Sequence, residues 1–233
     1  MKTLIIIPTY NEKENIIELA KAVFEKNPDA SILVVDDDSP DGTAKAIKMA
    51  QNNLPNLHLF QRSGEKGFGR SYIDGFKKAH NKDYKFIVMM DADFSHDPAE
   101  VPKMTEKLSS FDLVIGSRYM PGGRIENWNW RRRLLSRFAN FYARDVLQMK
   151  IHDLTTGFMC FRADILDNLN LESIRSEGYA FLIELKYAMA KAGYRIMEHP
   201  IVFNERREGQ SKMSFKNIWE AVWMPFKLKF SNK

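Results

Sequence analysis

Short apolar runs that alternate with amphipathic segments are the feature that most constrains the fold of this chain. The runs are Leu4–Ile7, Ile32–Val35, Leu57–Phe60, Phe86–Met90 and Leu113–Ile115. Between the first two, Ile16, Ala20 and Val23 recur at helical spacing. Asn11 and Glu14 predict a capping box at the start of that helix. Such alternation predicts an α/β fold in which helices flank a mainly parallel, Rossmann-like sheet.

The second half of the chain departs from this alternation after Gly116. Pro121-Gly122-Gly123 predicts a loop, Phe158–Phe161 a strand and Ile196–Phe203 an extended segment. Further helices are predicted at Thr43–Gln51, Arg70–His80, Pro98–Leu108, Arg131–Leu147 and Phe181–Ala192, with a shorter one near Ile165. No linker or internal repeat interrupts the sequence, so we expect residues 1–233 to form a single domain.

Acidic side chains directly follow two of the predicted strands. Asp36-Asp37-Asp38 comes after Ile32–Val35, and Asp91-Ala92-Asp93 comes after Phe86–Met90. The carboxyl ends of parallel strands meet at one edge of the sheet, where open α/β folds bind ligands. Carboxylates gathered there repel one another, which favours a bound cation or a hydrogen-bond donor. Mg²⁺ and Mn²⁺ take such oxygen ligands and keep positions open for a diphosphate. The simpler alternative is that these aspartates cap turns and helices.

Two common nucleotide-binding motifs are absent from the sequence. No GxxxxGK[ST] is present, and no GxGxxG follows the first strand, which disfavours P-loop NTPases and dinucleotide-dependent dehydrogenases. Gly67-Phe68-Gly69 precedes a predicted helix. It either lets the backbone approach a ligand or forms a simple turn.

Charge and composition narrow the function classes without selecting a partner. The chain carries 35 Lys and Arg against 30 Asp and Glu, a net charge of +5, and its 44% hydrophobic residues exclude a disordered protein. The excess suits an anionic partner such as a nucleotide, a phospholipid or a nucleic acid. The single cysteine, Cys160, favours a reducing compartment. Neither a signal peptide nor a run of ~18 apolar residues is found, which predicts a soluble or peripheral protein.

The C-terminal segment is rich in aromatic residues at helical spacing. These apolar residues are Phe215, Ile218, Trp219, Val222, Trp223, Phe226 and Phe230, with Lys216, Lys227, Lys229 and Lys233 around them. Pro225 predicts a kink or a break. The segment is typical of an interfacial helix on an anionic membrane, or alternatively of an amphipathic helix packed on the core. The predicted helix at Arg131–Leu147 has similar character and could form a second contact.

Segments spread over nearly the whole chain carry a family resemblance. The early ones are Ile6–Glu12, Val34–Thr43 and Met90–His96, and the later ones are Gly116–Tyr119, Arg131–Ser136, Asp153–Phe158 and Gly209–Lys212. Together they resemble the inverting family 2 glycosyltransferases of the GT-A fold, and within that family the dolichyl-phosphate (polyprenyl-phosphate) mannose synthases. The early segments are shared by many family 2 enzymes, whereas the later ones are more specific.

For the donor, the resemblance implies a nucleotide-sugar half at residues 1–116. It places the nucleotide-sugar on Pro8, Tyr10, Glu12, Val35, Asp37, Asp91, Ala92 and Asp93, with Arg206 and Lys212 on the donor phosphates. Asp37 and Glu12 suit base N–H and ribose hydroxyl groups. Asp91 and Asp93 would hold Mg²⁺ or Mn²⁺, with Asp93 as the direct ligand. Ser95 stands where similar synthases have a glutamine ligand, so water or the serine hydroxyl would take its place.

For the acceptor, the resemblance implies a half at residues 117–233 that includes membrane-facing helices, in which Arg118 and Arg132 hold a lipid phosphate. An arginine side chain binds phosphate oxygens in a bidentate way, which it cannot do with a neutral sugar hydroxyl. The N-terminus of the helix at Arg131–Leu147 also favours an anion, because its backbone dipole is positive there. A phosphomonoester is largely dianionic at pH 7 and needs no dedicated base, whereas a hydroxyl acceptor requires a carboxylate base. The implied catalytic residues are therefore Asp93, Arg118 and Arg132.

The activity that the resemblance implies is metal-dependent transfer of mannose from GDP-mannose to a polyprenyl (dolichyl) monophosphate with inversion. The expected location is peripheral, on the cytoplasmic face of a membrane. Small membrane-anchoring subunits are possible partners that would strengthen the attachment. Another donor, such as UDP-glucose or UDP-N-acetylglucosamine, and a glycan hydroxyl acceptor stay open as alternatives. A nucleic-acid-binding protein is disfavoured, because the acidic edge would repel phosphates unless a metal intervened.

Overall fold

The computed structural model describes residues 2–80, 82–205 and 215–230, with the backbone alone at 215–221. The strands are β1 (Thr3–Thr9), β2 (Ser31–Asp36), β3 (Leu57–Gln61), β4 (Phe86–Met89), β5 (Leu113–Ser117), β6 (Arg124–Ile125), β7 (Met159–Arg162), β8 (Ile196–Pro200) and β9 (Val202–Phe203). The helices are α1 (Ile16–Lys26), α2 (Thr43–Ala50), α3 (Phe68–Ala79), α4 (Glu100–Glu106), α5 (Trp130–Leu147), α6 (Ile165–Asn168), α7 (Gly178–Lys191) and α8 (Phe215–Phe230), with 3₁₀ turns at Lys107–Ser109 and Leu171–Ser173.

The central sheet has the strand order β3-β2-β1-β4-β7-β5-β8. β7 runs antiparallel to both β4 and β5, and the other pairs are parallel. The strand order reverses between β1 and β4, which is where open α/β sheets form a ligand crevice. The predicted α/β fold with a mainly parallel sheet is confirmed.

Two apolar layers cover the faces of this sheet. Alternate residues of β1 enter opposite layers: Leu4 and Ile6 pack with α3, α5 and α7, whereas Ile5 and Ile7 pack with α1, α2 and α4. Both faces are therefore buried, which explains why β1 is a continuous apolar run rather than an alternating one.

The predicted capping box at the start of α1 is wrong. The helix begins at Ile16 after Asn15, with no side-chain cap. Asn11 lies in the left-handed region (φ 58°), and its N–H donates to the hydroxyl of Ser39 at 3.0 Å. The turn after β1 is thus fixed by the neighbouring loop, and the carbonyl of Glu12 accepts the first amide hydrogens.

Two predictions about the C-terminal part also change. The extended segment Ile196–Phe203 divides at Ile201, because β8 pairs with β5 whereas β9 pairs with β6 in a separate two-stranded sheet. α8 continues through Pro225 without a break and packs against α5 and α7. No helix in the described ranges has the length and apolarity needed to cross a membrane.

Candidate active site

A cavity of about 970 Å³ opens at the carboxyl edge of the sheet, beside the ends of β1 and β4. Its wall combines residues from both halves of the chain, including Pro8, Tyr10, Glu12, Asp37, Asp91, Ala92, Asp93, Arg118 and Arg132. The structure therefore brings together most of the residues predicted from the sequence. Val35 is different: its side chain is buried in the core and is not part of this wall. Arg206 and Lys212 lie outside the described residues.

The aspartates after β2 are held by donors of the protein itself. The buried carboxylate of Asp36 accepts hydrogen bonds from the hydroxyl of Thr9 at 3.0 Å and from the N–H and hydroxyl of Ser39 at 3.0 and 2.6 Å. Asp37 accepts from Arg62 and, at 2.7 Å, from the N–H of Gly67. Asp36 is consequently a structural residue, whereas Asp37 is a fixed carboxylate in the cavity wall.

Gly67, directly before α3, and Gly69, in its first turn, allow a glutamate to approach the backbone. The N–H of Gly69 donates to Glu177 Oε2 at 2.8 Å, and a Cβ on Gly67 would lie only 2.5 Å from Glu177 Oε1. Glu177 lies directly before α7, over a hundred positions along the chain, and it also lines the cavity. The glycines therefore admit the protein's own carboxylate, a partner that the sequence did not reveal.

A buried histidine contacts the backbone of Asp91, just after β4. The N–H of Asp91 donates to His96 Nδ1 at 3.2 Å, and the ring of His96 stacks on Phe158. Burial lowers the pKa of His96 to about 4, so the ring is neutral at pH 7. With Nδ1 accepting, the proton of the neutral ring is on Nε2, which lies 3.9 Å from Asp91 Oδ2. His96 thus fixes the backbone at Asp91, a role that the sequence did not indicate.

The donor set around Asp91 and Asp93 fits a hydrated divalent cation rather than a protein-only metal cage. A cluster of three or more His, Cys, Asp or Glu side chains suited to a metal is not found in the described part of the chain. Mg²⁺ and Mn²⁺ commonly take only one or two carboxylates and fill the rest with water and phosphate oxygens. Ser95 is buried and does not line the cavity, so its hydroxyl is not placed as a third ligand. Gly157 adjoins Asp91, since a Cβ there would lie 3.1 Å from Oδ1.

Arg118 is bound by a buried carboxylate. Its Nε and Nη2 donate to the two oxygens of Asp153 at 2.7 and 2.8 Å, and Nη2 also donates to the hydroxyl of Thr155. Burial opposes ionisation of both groups, yet each holds the other charged: Asp153 raises the pKa of Arg118, and Arg118 lowers that of Asp153. Arg118 still forms part of the cavity wall.

Three further polar side chains fix the backbone around Asp153. Glu198 accepts from the N–H of Asp153 at 3.0 Å, and Asn140 Oδ1 accepts from the N–H of Leu154 at 2.7 Å. Lys186, which is fully buried, donates to the carbonyls of Leu154 and Thr156 at 3.0 and 2.6 Å. Burial lowers the pKa of this lysine to about 7. None of these roles follows from sequence spacing, because the three residues come from α5, α7 and β8.

Arg132 lies in the first turn of α5, as predicted. Asn129 caps the helix by accepting from the N–H of Arg132 at 2.9 Å. The guanidinium donates to Glu205 at 3.1 Å and stacks on Trp128, with 3.8 Å between Cζ and the ring centroid. The side chain is 33% exposed, so Arg132 can reach a ligand entering the cavity.

An apolar surface extends from the cavity along α5 and α8, and we call it the aromatic face. It consists of the exposed side chains of Leu134, Leu135, Phe138, Phe141, Val222, Trp223, Phe226 and Phe230. Tyr142 joins the two helices by donating to the carbonyl of Val222 at 2.6 Å. Trp223 also lines the cavity. The side chains of Phe215, Ile218 and Trp219, and the whole of Lys233, lie outside the described residues.

The fold and the cavity define the class of protein, namely an α/β protein of GT-A-like architecture with a cavity at the switch point of its sheet. A family model described as glycosyl transferase family 2 matches residues 4–169. The chain belongs to glycosyl transferase family 2 and is a glycosyltransferase.

Individual relatives match almost the whole chain. Polyprenol monophosphomannose synthase of Mycolicibacterium smegmatis is 43% identical over 224 residues, which are 95% of this chain and 84% of that protein. Undecaprenyl-phosphate mannosyltransferase of Micrococcus luteus is 40% identical over 222 residues, 95% of this chain and 91% of that protein. A solved mannosyltransferase of Pyrobaculum calidifontis, in complex with GDP-Man and Mn²⁺, has a TM-score of 0.59 at 17% identity over 95% of this chain and 69% of that one. The last similarity concerns the fold alone.

Proposed function

We propose that this protein transfers mannose from GDP-mannose to a polyprenyl monophosphate, with inversion at the anomeric carbon. The observation that carries the proposal is one cavity whose wall includes the carboxylates of Asp37, Asp91 and Asp93 together with Arg118 and Arg132. Relatives named as polyprenyl-phosphate mannosyltransferases, identical at 40% or more over 95% of the chain, support the same activity.

The donor end consists of the loops after β1, β2 and β4. Asp37 and Glu12 offer carboxylate oxygens to the N–H groups of the base and to the ribose hydroxyls, while Pro8 and Tyr10 complete the wall. Val35 can contribute only backbone atoms, since its side chain is in the core. We assign the donor phosphates to Arg206 and Lys212 from the sequence resemblance.

Asp91 and Asp93 would hold Mg²⁺ or Mn²⁺, with Asp93 as the direct ligand. A divalent cation there would supply positive charge to the leaving diphosphate. The crystallised GDP-Man and Mn²⁺ complex of the Pyrobaculum mannosyltransferase supports the choice of metal class.

The acceptor end consists of Arg118 and Arg132, which would bind the lipid phosphate. Their side chains come from the end of β5 and the start of α5 and line the same cavity. Asp153 cannot reach an acceptor as a general base, because it is fully buried in its ion pair with Arg118 and does not line the cavity. A hydroxyl acceptor would need such a base, whereas a phosphate dianion does not. The paired guanidinium groups of Arg118 and Arg132 favour a phosphate acceptor over a glycan hydroxyl.

The reaction then follows as one in-line displacement. A phosphate oxygen of the acceptor forms a bond to the anomeric carbon while the bond from that carbon to the donor diphosphate breaks. The electron pair leaves with GDP, and no proton transfer is required. An α-linked donor gives a β-linked product. Arg118 and Arg132 align the attacking phosphate and attract it to a site that faces an anionic donor.

The aromatic face provides the contact with the membrane that a polyprenyl acceptor requires. Its apolar side chains lie next to cationic residues, among them Arg137, Arg144 and Lys227. This combination suits the surface of an anionic bilayer. We place the protein peripherally on the cytoplasmic face, and small anchoring subunits could add to this contact.

The test is transfer of radiolabelled mannose by the purified protein to a short-chain polyprenyl phosphate. We expect lipid-extractable label with GDP-mannose and Mg²⁺ or Mn²⁺, loss of label with a chelator, and a β-linkage in the product. UDP-glucose and UDP-N-acetylglucosamine serve as competing donors, and a free polyprenol serves as the hydroxyl control. Transfer from a UDP-sugar alone, or to the hydroxyl in preference to the phosphate, would overturn the proposal. RNA binding without any sugar transfer would favour a nucleic-acid-binding function.

A further inference from the structure

Trp128 lies beside both arginines of the acceptor end, in the loop that precedes α5. Its ring centroid is 3.8 Å from Cζ of Arg132 and 5.7 Å from Cζ of Arg118. The side chain is only 7% exposed and forms part of the cavity wall. One indole ring therefore contacts both cations.

The ring of Trp128 is fixed independently of the arginines. Phe203 meets it edge-on, with 5.4 Å between centroids and an interplanar angle of 78°. Phe203 belongs to β9, which pairs with β6 just before the loop that carries Trp128. The ring of Phe203 also lies 5.2 Å from Cζ of Arg118. The small sheet thus holds an aromatic wall against which both guanidinium groups rest.

Two guanidinium groups in one wall repel each other and need a compensating attraction. Among the residues that the structure describes, each has one carboxylate partner, Asp153 for Arg118 and Glu205 for Arg132. A further carboxylate would neutralise the charge that an anionic acceptor needs. The π face of an indole attracts cations without carrying a net charge, so it stabilises the pair and leaves the positive field intact.

We propose that Trp128 is a positioning residue for the acceptor phosphate, whose ring holds Arg118 and Arg132 at the separation that clamps one phosphate group. The proposal rests on the proposed function, in which these arginines bind the acceptor. In this proposal the π face of the indole ring acts on the two guanidinium groups, and the indole N–H has no role. Nε1 is buried and makes no hydrogen bond to any residue that the structure describes.

The test compares three variants in transfer to a short-chain polyprenyl phosphate without membranes. Trp128→Leu removes the π face, and Trp128→Phe keeps a ring but removes the N–H. Trp130→Leu is the matched control, because Trp130 is 68% exposed and its ring contacts Arg131. We expect Trp128→Leu to raise KM for the acceptor about tenfold, since a desolvated cation–π contact contributes about that factor. KM for GDP-mannose should not change, Trp128→Phe should lie near the wild type, and Trp130→Leu should match it.

Calorimetric binding of a short isoprenyl monophosphate, measured without donor, separates this proposal from the proposed function. If the wild type binds the phosphate but transfers no mannose, the function fails while the weaker binding of Trp128→Leu still supports the positioning role. If the wild type transfers mannose and Trp128→Leu binds the phosphate equally well, the positioning role fails alone. An equal rise in KM for donor and acceptor in Trp128→Leu would indicate general disruption and would also overturn it.

Discussion

The two ends of the cavity are built in different ways. At the donor end, the carboxylates follow strands directly, and nearby backbone and hydroxyl groups fix Asp36 while Gly67 helps to fix Asp37. At the acceptor end, Arg118 depends on Asp153, which lies 35 positions away in the sequence, and Arg132 depends on Trp128 and Glu205. Asp91 and Asp93, the proposed metal ligands of the donor end, are held by hydrogen bonds within their own loop, whereas Arg118 is held by a buried ion pair that depends on tertiary packing.

This difference predicts how each end responds to substitution. A carboxylate at a strand end can lose its charge without losing its place in the fold, because its local hydrogen bonds can persist. Removal of a buried arginine that anchors a loop is different, because it leaves the charge of its carboxylate partner buried and unpaired. Substitutions of the donor-end carboxylates should therefore reduce activity without reducing stability, whereas substitution of Arg118 should reduce both.

The largest expected effect is the loss of transfer in Asp93→Asn. Asp93 Oδ1 accepts from the N–H of Ser95 at 3.1 Å, and an asparagine oxygen can accept the same bond, so the thermal midpoint should not change. Loss of the negative charge removes the proposed metal ligand, and we expect kcat to fall by about a thousandfold or more. Asp38→Asn is the control, since Asp38 is exposed and already has a left-handed φ of 55°. Near wild-type transfer by folded Asp93→Asn would contradict the role of the donor-end carboxylates.

The next effect is the joint loss of activity and stability in Arg118→Ala. Without Arg118, the carboxylate of Asp153 stays buried without its cation, at a cost of about 3–5 kcal/mol. Transfer should also fall by about 10- to 100-fold, the value of charged hydrogen bonds to phosphate. Arg132→Ala is the matched variant: its side chain is partly exposed, so it should lose acceptor affinity while the free energy of unfolding changes little. Equal stability of Arg118→Ala and the wild type, in urea denaturation, would contradict the comparison between the two ends.

The same difference decides what the sequence could predict. The α/β order, the strands β1 to β5, and the positions of Asp37, Asp91 and Asp93 follow from local patterns. The partners of Arg118 do not, because Asp153 and Thr155 reach it only through the packing of β5, α5 and α7. Lys186 shows the limit most clearly, since its position in α7 has no local signal for a fully buried ammonium group. Sequence patterns locate chemical groups, while the contacts that tune them depend on the tertiary fold.

A smaller effect is expected from Lys186 in the pH dependence of stability. Its pKa is about 7 in the folded protein and near 10.5 in the unfolded chain, so the unfolded state binds more protons between these values. The free energy of unfolding should therefore rise with pH from about 7 upward, by at most about 1.4 kcal/mol per pH unit from this group. Lys186→Met removes this contribution, and Lys191→Met, on the same helix, is the control. Urea denaturation at a series of pH values measures the slopes. Equal slopes for the wild type and Lys186→Met would contradict burial of this ammonium group beneath the acceptor end.

The smallest effect on the rate of transfer is expected from the double variant Leu135→Ser/Phe138→Ser on the aromatic face. The same variant should clearly weaken binding to membranes. The two side chains are 59% and 62% exposed, so their replacement should leave the fold and transfer to a water-soluble acceptor unchanged. Each change removes apolar area that would enter the bilayer, and together they should weaken binding to anionic vesicles by about tenfold or more. Met49→Ser is the control, because Met49 is 65% exposed on α2, which covers the opposite face of the sheet. Vesicle flotation measures the binding. Equal flotation of the double variant and the wild type would show that the aromatic face is not the membrane contact, and the acceptor end would then need another route to its lipid.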